Sequence, residues 1–360
     1  MPEAQNPAPT SRPAPATLCL LRTSALGDVT HVVPLVRTLQ RAWPQTRVTW
    51  IVGKLEHKLV GDIAGVEFLI FDKSAGWRGF AALRRALARR RFDALLHMQV
   101  ALRANLVSAL VRADLRIGYD AARAKDGHGL FVNRRIAARS GEHVLDAMAS
   151  FLEPLGLRQT EVRWDIPIPE SAHAFAAQHL PGATPTLLVS PCSSHTLRNW
   201  DPARYGAVID HAQRRLGWRV ALCGGPSGFE REFGDRILAH CAEKPLDLIG
   251  KDTLKQFLAL AQRANLVLTP DSGPMHMANA VGAPVLGLHA ASNVNRSGPY
   301  SERRWCVDRY DAAARKFRGK PAAELSWGTK IEFPGVMDLI ETEAVIERLE
   351  AFAKSHAAAN

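Results

Sequence analysis

Apolar runs of strand length and stretches of helical periodicity alternate along the first half of the chain. The strand-like runs lie at residues 18–21, 48–53, 68–71 and 94–98, and the helical patterns at about 29–43 and 78–91. Strands that are separated by helices usually pair in parallel, with the helices covering the faces of the sheet. The pattern therefore predicts an α/β domain built on a parallel sheet.

The second half of the chain starts the same alternation again. Its strand-like runs lie at residues 186–189, 218–223, 246–249, 266–269 and 284–288, and its helical patterns at about 202–215, 253–263 and 273–281. A second α/β domain, with a cleft between it and the first, follows from this repetition. Residues 293–334 are rich in Gly, Pro, Arg and Trp and carry no pattern that assigns a structure.

The weakest pattern, between two groups of prolines near residues 166–185, marks the domain boundary. We expect a flexible Pro-rich tail at 1–16, a first domain at 17–170, a linker region at 171–182, a second domain at 183–340 and a C-terminal helix at 341–360. Apolar residues on one face of that helix predict that it packs back across the boundary.

Charge is distributed unevenly between the two halves. The 360 residues include 46 Lys and Arg against 35 Asp and Glu, a net charge of +11. Residues 1–180 hold 24 basic and 16 acidic residues (+8), which leaves 22 and 19 (+3) for residues 181–360. The excess predicts an anionic partner for the first domain. Neither RNA-binding aromatics nor a helix-turn-helix pattern accompanies it, which argues against nucleic acid.

Several classes of site lack their sequence signatures. The five cysteines are scattered and none forms a C-x-x-C pair, so neither a disulfide framework nor a zinc site is indicated. The chain has no H-E-x-x-H, G-x-S-x-G or P-loop motif and no apolar run near the ~20 residues of a membrane span. We expect a soluble cytoplasmic protein without metal or cofactor, whose membrane contact is at most peripheral.

The loop from Arg22 to His31 follows the first predicted strand. Ligands of open α/β sheets gather at the carboxyl ends of strands, so this loop is expected to face a ligand. Asp28 stands where the next helix begins and suits either a helix cap or a general base. Gly27 is the loop's one glycine, so the loop is not a dinucleotide-binding fingerprint.

Two further segments at strand ends suit a phosphate. Residues 269–276 combine Ser272 with a helix start, where free amides attract anions, although a capped helix would look the same. His276 is either a ligand contact or a helix residue with a structural partner. Residues 190–200 combine hydroxyl residues with Arg198, which suits a diphosphate, and the alternative is a solvated loop.

Glycine and arginine pairs supply the remaining candidates. Gly224 and Gly225, at the next strand end, allow a ligand to approach the backbone, as a plain turn also would. Arginines at 84–85 and 89–91 fit a solvated helix face. The basic loop over residues 112–139 lies where strands of the first domain end, and it is the better candidate for holding an anionic acceptor.

In order and spacing these motifs resemble the bacterial ADP-heptose:lipopolysaccharide heptosyltransferases, glycosyltransferase family 9. The resemblance extends from about residue 18 to 288 and is most specific at residues 22–28 (RTSALGD) and 271–276 (DSGPMH). It implies a GT-B fold, in which two Rossmann-like domains bind the acceptor and the nucleotide sugar respectively. Residues 293–334 depart from the common family pattern.

The resemblance also implies roles for individual residues. Asp28 would be the general base of an inverting, metal-independent transfer. The donor, ADP-heptose, is expected to contact Ser193, Ser194, Arg198, Gly224, Gly225, Glu230, Asp271, Ser272, Gly273 and His276. The acceptor is expected to contact Arg22, Thr23, Ser24, Arg123, Arg134 and Arg135. Family members often carry Lys where Arg198 stands, and Arg adds a planar fork of donors.

The implied acceptor is Kdo-lipid A or a heptosylated lipopolysaccharide core, reached at the cytoplasmic face of the bacterial inner membrane. Peripheral contact with that anionic surface would use the basic first domain. Two alternatives remain at this point. One is another GT-B enzyme, such as a different nucleotide-sugar glycosyltransferase or a nucleotide-sugar 2-epimerase. The other is a basic nucleic-acid-binding module.

Overall fold

The computed structural model describes residues 13–357, which form two compact units. The first unit contains residues 13–139 and Leu145–Trp164, and the second contains Ser140–Val144 and residues 165–357. The predicted tail at 1–16 lies outside the described residues except for positions 13–16. Each unit is built on a parallel sheet, so the predicted α/β class is confirmed.

The first unit carries six strands joined by helices. Its elements are β1 (Thr17–Leu21), α1 (Leu26–Ala42), β2 (Arg47–Gly53), α2 (Lys54–Val60), β3 (Val66–Phe71), α3 (Trp77–Leu87), β4 (Phe92–His97), α4 (Leu102–Ala109), β5 (Ala113–Gly118), β6 (Arg134–Arg135) and α5 (Val144–Ala149). The strand order is β3-β2-β1-β4-β5-β6, and every pair is parallel.

The second unit repeats that plan. Its elements are α6 (Glu170–His179), β7 (Thr186–Val189), α7 (Pro202–Arg214), β8 (Arg219–Leu222), α8 (Gly228–His240), β9 (Leu246–Asp247), α9 (Leu254–Arg263), β10 (Leu266–Pro270), α10 (Gly273–Ala280), β11 (Val285–His289), α11 (Val294–Ser297), β12 (Val307–Asp308), α12 (Tyr310–Arg318) and α13 (Thr342–Ala357). The strand order is β12-β11-β10-β7-β8-β9.

Both sheets therefore have the strand order of a Rossmann fold. In each, the first and fourth strands of the unit are neighbours: β1 beside β4, and β7 beside β10. The strand order reverses between these two neighbours, and ligands of open parallel sheets bind outside the carboxyl ends of strands at such a reversal. The loops that follow β1, β4, β7 and β10 are the segments placed there.

The central strands are buried almost completely, as strands covered on both faces should be. In the second unit the core also takes in residues that the sequence pattern left unassigned. Trp305, Val307 and Tyr310, from the irregular tract 293–334, pack in this core. The apolar face of α13, with Val345, Leu349 and Phe352, is buried in the same cluster.

Some elements differ from the sequence-based expectation. The predicted linker region 171–182 contains most of α6, a helix whose buried residues are Ala172 and Ala176, too small to produce a strong apolar pattern. The basic loop expected over 112–139 contains β5 and β6. The pattern missed β5 because charged residues alternate with its apolar ones over Ala113–Gly118.

The sequence predicts neither a membrane span nor a disulfide framework, and the described residues can be compared with both expectations. Within residues 13–357 no helix combines the length and the apolar character needed to cross a bilayer. All five cysteines are free thiols and are buried. Burial raises the pKa of Cys306 to about 12 and that of Cys241 to about 11, so these thiols stay protonated at neutral pH.

Candidate active site

In the first unit the loop after β1 is held by an ion pair at its two ends. The Arg22 guanidinium pairs with the Asp28 carboxylate and also donates to the backbone oxygen of Met98, which follows β4. The Arg22 and Asp28 side chains are 12% and 33% exposed, respectively. The indole of Trp50 donates to the Arg22 backbone oxygen at 3.2 Å. The pair therefore lies at the strand reversal.

Asp28 also has the capping role that the sequence left open. It occupies the third position of α1 and accepts from the Ala25 backbone amide at 3.2 Å. Burial disfavours the charged form of Arg22, but its pKa is raised because Asp28 and Tyr119 stabilise the cation. The carboxylate is thus oriented from two sides, by Arg22 and by the Ala25 amide.

Gln99, which sequence reasoning missed, fixes the two residues after Arg22. Its side-chain oxygen accepts from both the amide and the hydroxyl of Thr23 at 2.9 Å. Its amide nitrogen donates to the Ser24 hydroxyl at 3.1 Å. Gln99 follows β4, and its position at a strand end was the signal that could have identified it.

A cavity of about 530 Å³ lies at the carboxyl ends of the first four strands of this unit. Thr23 and Ser24 line it together with four exposed cationic residues. The cationic residues are Lys54, Lys58, Lys73 and Arg103. A cavity with this lining suits an anionic, hydroxyl-rich ligand.

Two carboxyl groups, Glu56 and Asp72, also line this cavity, and Glu56 is 5% exposed. Burial raises the pKa of Glu56, while its own backbone amide, Lys73 and Arg22 oppose that rise. A side chain built on Gly53 would come within 2.3 Å of the Glu56 carboxylate and 2.2 Å of the Thr23 backbone oxygen, so only glycine fits there.

The arginines predicted to bind the acceptor do not line this cavity. Arg123 pairs with the buried Asp120 and donates to the Ala137 backbone oxygen at 3.2 Å. Arg134 lines another cavity, of about 1130 Å³, with residues near the start of β4 and β5. Arg135 is exposed on the short strand β6. None of these three residues lines the cavity that Thr23 and Ser24 line.

In the second unit the loops after β7 and β10 meet in a cluster of charges around Asp271. The Asp271 carboxylate lies 3.0 Å from Lys330 Nζ and 3.4 Å from Arg198 Nη1. The Ser297 hydroxyl donates to it at 3.3 Å. His276 Nε2 is 3.9 Å away. The expected contacts Arg198, Asp271 and His276 are thus brought together.

A second carboxylate, Glu332, holds the other side of the Arg198 fork. Its Oε1 accepts from Arg198 Nε at 2.8 Å and lies 2.6 Å from Nη2. Lys330 and Glu332 both belong to the tract 293–334, and sequence reasoning missed them because nothing in that tract predicted a strand end at the site.

The charges in this cluster shift one another's protonation. Burial alone would raise the pKa of Asp271, but Lys330, His289 and Arg198 lower it far below its usual range. Burial lowers the pKa of Lys330, and Asp271 partly restores it. Burial also lowers the pKa of His289 to about 4, so its imidazole is neutral at pH 7.

Hydroxyl groups and a helix start complete the cluster. The Ser272 hydroxyl caps α10 by accepting from the Met275 amide at 3.4 Å and lies 2.9 Å from the Thr269 hydroxyl. Gly273 is the first residue of α10. Ser193 is buried and its amide donates to the Asn199 side chain at 2.6 Å, whereas Ser194 is exposed. The amino end of α10 offers free amides to an anion.

The remaining expected donor contacts form a separate turn after β8. Glu230 accepts from the Gly225 amide at 2.6 Å and from the Ser227 hydroxyl at 3.2 Å. A side chain on Gly225 would come within 2.7 Å of that carboxylate, and one on Gly224 within 3.2 Å. The carboxylate is therefore packed tightly against the turn.

Within residues 13–357 no group of three or more His, Cys, Asp or Glu side chains is arranged to hold a metal ion. Cations at the Asp271 cluster come from the side chains of Arg198 and Lys330.

Comparison with known proteins identifies the family. The sequence profile of glycosyltransferase family 9 (heptosyltransferase) matches residues 80–327. The chain is 40% identical over 337 residues to the lipopolysaccharide core heptosyltransferase OpsX of Haemophilus influenzae, a match that covers 94% of this chain and 97% of that protein.

Solved structures confirm the predicted GT-B fold. A glycosyl transferase family 9 protein from Veillonella parvula superposes with a TM-score of 0.77 at 22% identity, covering 94% of this chain and 97% of that one. The E. coli heptosyltransferase WaaC with ADP gives 0.71 at 18% identity, covering 93% and 99%. The profile spans more than half of the chain, and the identity to the Haemophilus protein extends over nearly all of it. The chain therefore belongs to glycosyltransferase family 9, the heptosyltransferases, and is a glycosyltransferase.

Proposed function

We propose that this protein transfers heptose from ADP-heptose to the inner core of lipopolysaccharide, with inversion and without a metal ion. The observation that carries the proposal is the pairing of Asp28 with Arg22 at the end of β1. This ion pair orients a half-buried carboxylate in the unit that the family resemblance assigns to the acceptor. The 40% identity to a lipopolysaccharide core heptosyltransferase supports the substrate class.

The proposed donor site is the Asp271 cluster of the second unit, with the turn at Gly224–Gly225. Arg198, Ser193, Ser194 and the amino end of α10 supply the positive charge and hydrogen-bond donors that a diphosphate requires. The same groups stabilise the charge that develops on the leaving ADP, which is the role a metal ion has in other transferases. Glu230 is the proposed contact to the nucleoside, and His276 contributes beside Asp271.

In the proposed step, Asp28 accepts the proton of an acceptor hydroxyl as its oxygen attacks the anomeric carbon of heptose. The new carbon–oxygen bond forms on the face opposite the diphosphate while the bond to the diphosphate oxygen breaks. ADP leaves with that electron pair. One displacement of this kind inverts the anomeric centre. Arg22 positions the carboxylate, and Gln99 holds Thr23 and Ser24 toward the acceptor.

We propose the 530 Å³ cavity as the principal acceptor site. Its lysines and Arg103 suit the carboxylates and phosphates of a Kdo-bearing lipid. Arg123, Arg134 and Arg135 do not line this cavity and would contact other parts of that acceptor or an anionic membrane surface. Peripheral association with the inner face of the bacterial inner membrane follows as part of the proposal.

Neither alternative from the sequence has a comparable basis. A nucleotide-sugar 2-epimerase would share the fold, but the family profile and the Haemophilus match both point to heptosyl transfer. A nucleic-acid-binding module would leave the Asp28–Arg22 pair without a role.

A matrix of donors and acceptors tests the proposal. The protein would be incubated with ADP-heptose, ADP-glucose and UDP-N-acetylglucosamine, each with and without Kdo-lipid A or a heptosylated core. We expect product from ADP-heptose with a core acceptor, in the presence of EDTA as well as magnesium. Transfer from a UDP-sugar instead, epimerised sugar without acceptor, or loss of activity in EDTA would contradict the corresponding part of the proposal.

A further inference from the structure

We propose that Lys330 and Glu332 form a charge relay at the donor site. Glu332 pairs with Arg198 until a nucleoside diphosphate displaces it. Lys330 then binds the diphosphate as a second cation beside Arg198. The inference rests on the proposed function, since it assumes that the diphosphate binds at the Asp271 cluster. It assigns a role to a part of the tract 293–334.

The backbone explains why both side chains reach the cluster. The Ile331 amide donates to the Ala291 backbone oxygen at 2.9 Å, and the Ile331 side chain is fully buried in the core of the second unit. Lys330 and Glu332 flank this anchored residue, and both contact the cluster, Lys330 at Asp271 and Glu332 at Arg198.

The four charges of the cluster sum to zero. Two carboxylates, Asp271 and Glu332, face two cations, Arg198 and Lys330. The Asp271 and Arg198 side chains are 7% and 14% exposed, so neither would remain charged at low cost without its partners. Lys330 and Glu332 are each 27% exposed and lie on the more open side of the cluster.

Glu332 holds the donors that a phosphate would use. Its Oε1 lies within hydrogen-bond distance of both Nε and Nη2 of Arg198, one edge of the guanidinium fork. Phosphate oxygens bind such an edge in the same two-pronged way. Glu332 and the diphosphate therefore compete for Arg198. The ammonium group of Lys330, in contrast, attracts the negatively charged diphosphate.

The two residues should have opposite effects on donor binding. Calorimetric titration with ADP is expected to show binding about 10-fold weaker for Lys330→Met and several-fold tighter for Glu332→Gln. Lys330→Arg, which keeps the charge, should bind ADP nearly as the wild type does. Adenosine, which lacks the diphosphate, should bind all variants alike. Lys320→Met and Glu324→Gln, exposed residues of the same tract, serve as matched controls.

The outcomes separate this inference from the proposed function. A wild type that binds ADP, with Lys330→Met equally tight and Glu332→Gln unchanged or weaker, overturns the relay and leaves the donor assignment intact. A wild type that binds neither ADP nor ADP-heptose overturns the donor assignment and the relay with it. Weaker binding of adenosine by Lys330→Met would show a general structural defect and would also overturn the relay.

Discussion

The two units use one plan to build sites of different electrostatic character. Each places its chemistry after the first and fourth strands of a parallel sheet, where the strand order reverses. In the first unit one ion pair, Arg22–Asp28, stands beside a cavity lined by exposed cations. In the second, two carboxylates and two cations neutralise one another.

This difference shows that net charge and functional charge need not coincide. The half of the chain with a charge of only +3 holds a cluster of four charged side chains, and these pair with each other. In the first half the excess is spread over exposed residues. We interpret the first site as one that receives a charged acceptor directly, and the second as one whose charges rearrange when the donor binds.

The largest predicted effect is the loss of the base. Asp28→Asn should lower kcat by about 10²–10⁴-fold, because general base catalysis contributes that much, while ADP binding to the second unit stays the same. Rapid-quench kinetics with saturating donor and acceptor would measure kcat. The matched control is Asp62→Asn, an exposed carboxylate of the same unit, which should keep full activity. A turnover near that of the wild type in Asp28→Asn would remove the basis of the proposed mechanism.

An intermediate effect is predicted for the cavity of the first unit. Lys73→Met with Arg103→Met should raise the acceptor KM about 10-fold and leave the donor KM unchanged, because both cations line the cavity beside Thr23. Arg134→Met with Arg135→Met removes the same charge elsewhere and should change the acceptor KM less. If the second pair had the larger effect, the acceptor would bind where the sequence first suggested.

A smaller effect concerns Asp252, a half-buried carboxylate of the second unit that pairs with no cation among residues 13–357. Burial raises the pKa of Asp252 to about 7, whereas cations lower that of Asp271. Between pH 4 and pH 7 the unfolded chain gives up this proton more readily than the native one, so Asp252 ionisation costs stability as pH rises. Relative to Asp252→Asn, the wild-type unfolding free energy should fall by about 1 kcal/mol or more over that interval.

Urea unfolding of both proteins at pH 4 and pH 7 would measure this difference. Asp235→Asn is the control, because that exposed carboxylate pairs with Arg231 on the surface of α8. If the difference in unfolding free energy between the wild type and Asp252→Asn does not change with pH, Asp252 titrates in the native protein as it does in the unfolded chain.

Sequence reasoning located the strand-end loops because their signals are local. An apolar run followed by Thr23, Ser24 and Asp28, or by Asp271 and Ser272, marks a parallel strand and the loop at its carboxyl end. The Rossmann strand order then brings the loops after the first and fourth strands together, as it does for Arg198 and Asp271. Most of the fold could be predicted in this way.

The residues that escaped prediction depend on contacts between distant segments. Gln99 acquires its role from hydrogen bonds to Thr23, 76 residues away. Lys330 lies 59 residues from Asp271 and reaches it next to Ile331, which is buried in the core and hydrogen-bonded to Ala291. Conversely, the basic composition of residues 112–139 made Arg123, Arg134 and Arg135 candidates for acceptor binding, although Arg123 already pairs with Asp120. A local sequence pattern does not show which charged side chains form ion pairs in the folded protein.

The anomeric configuration of the transferred heptose tests the central claim most directly. Proton NMR of the product, with ADP-heptose of known configuration as donor, reports whether the bond forms on the face opposite the diphosphate. The account predicts a single product with the configuration opposite to that of the donor, formed by a displacement in which Asp28 accepts the proton. A product that retains the donor configuration would contradict it, because retention requires a route in which Asp28 does not serve as the base of one displacement.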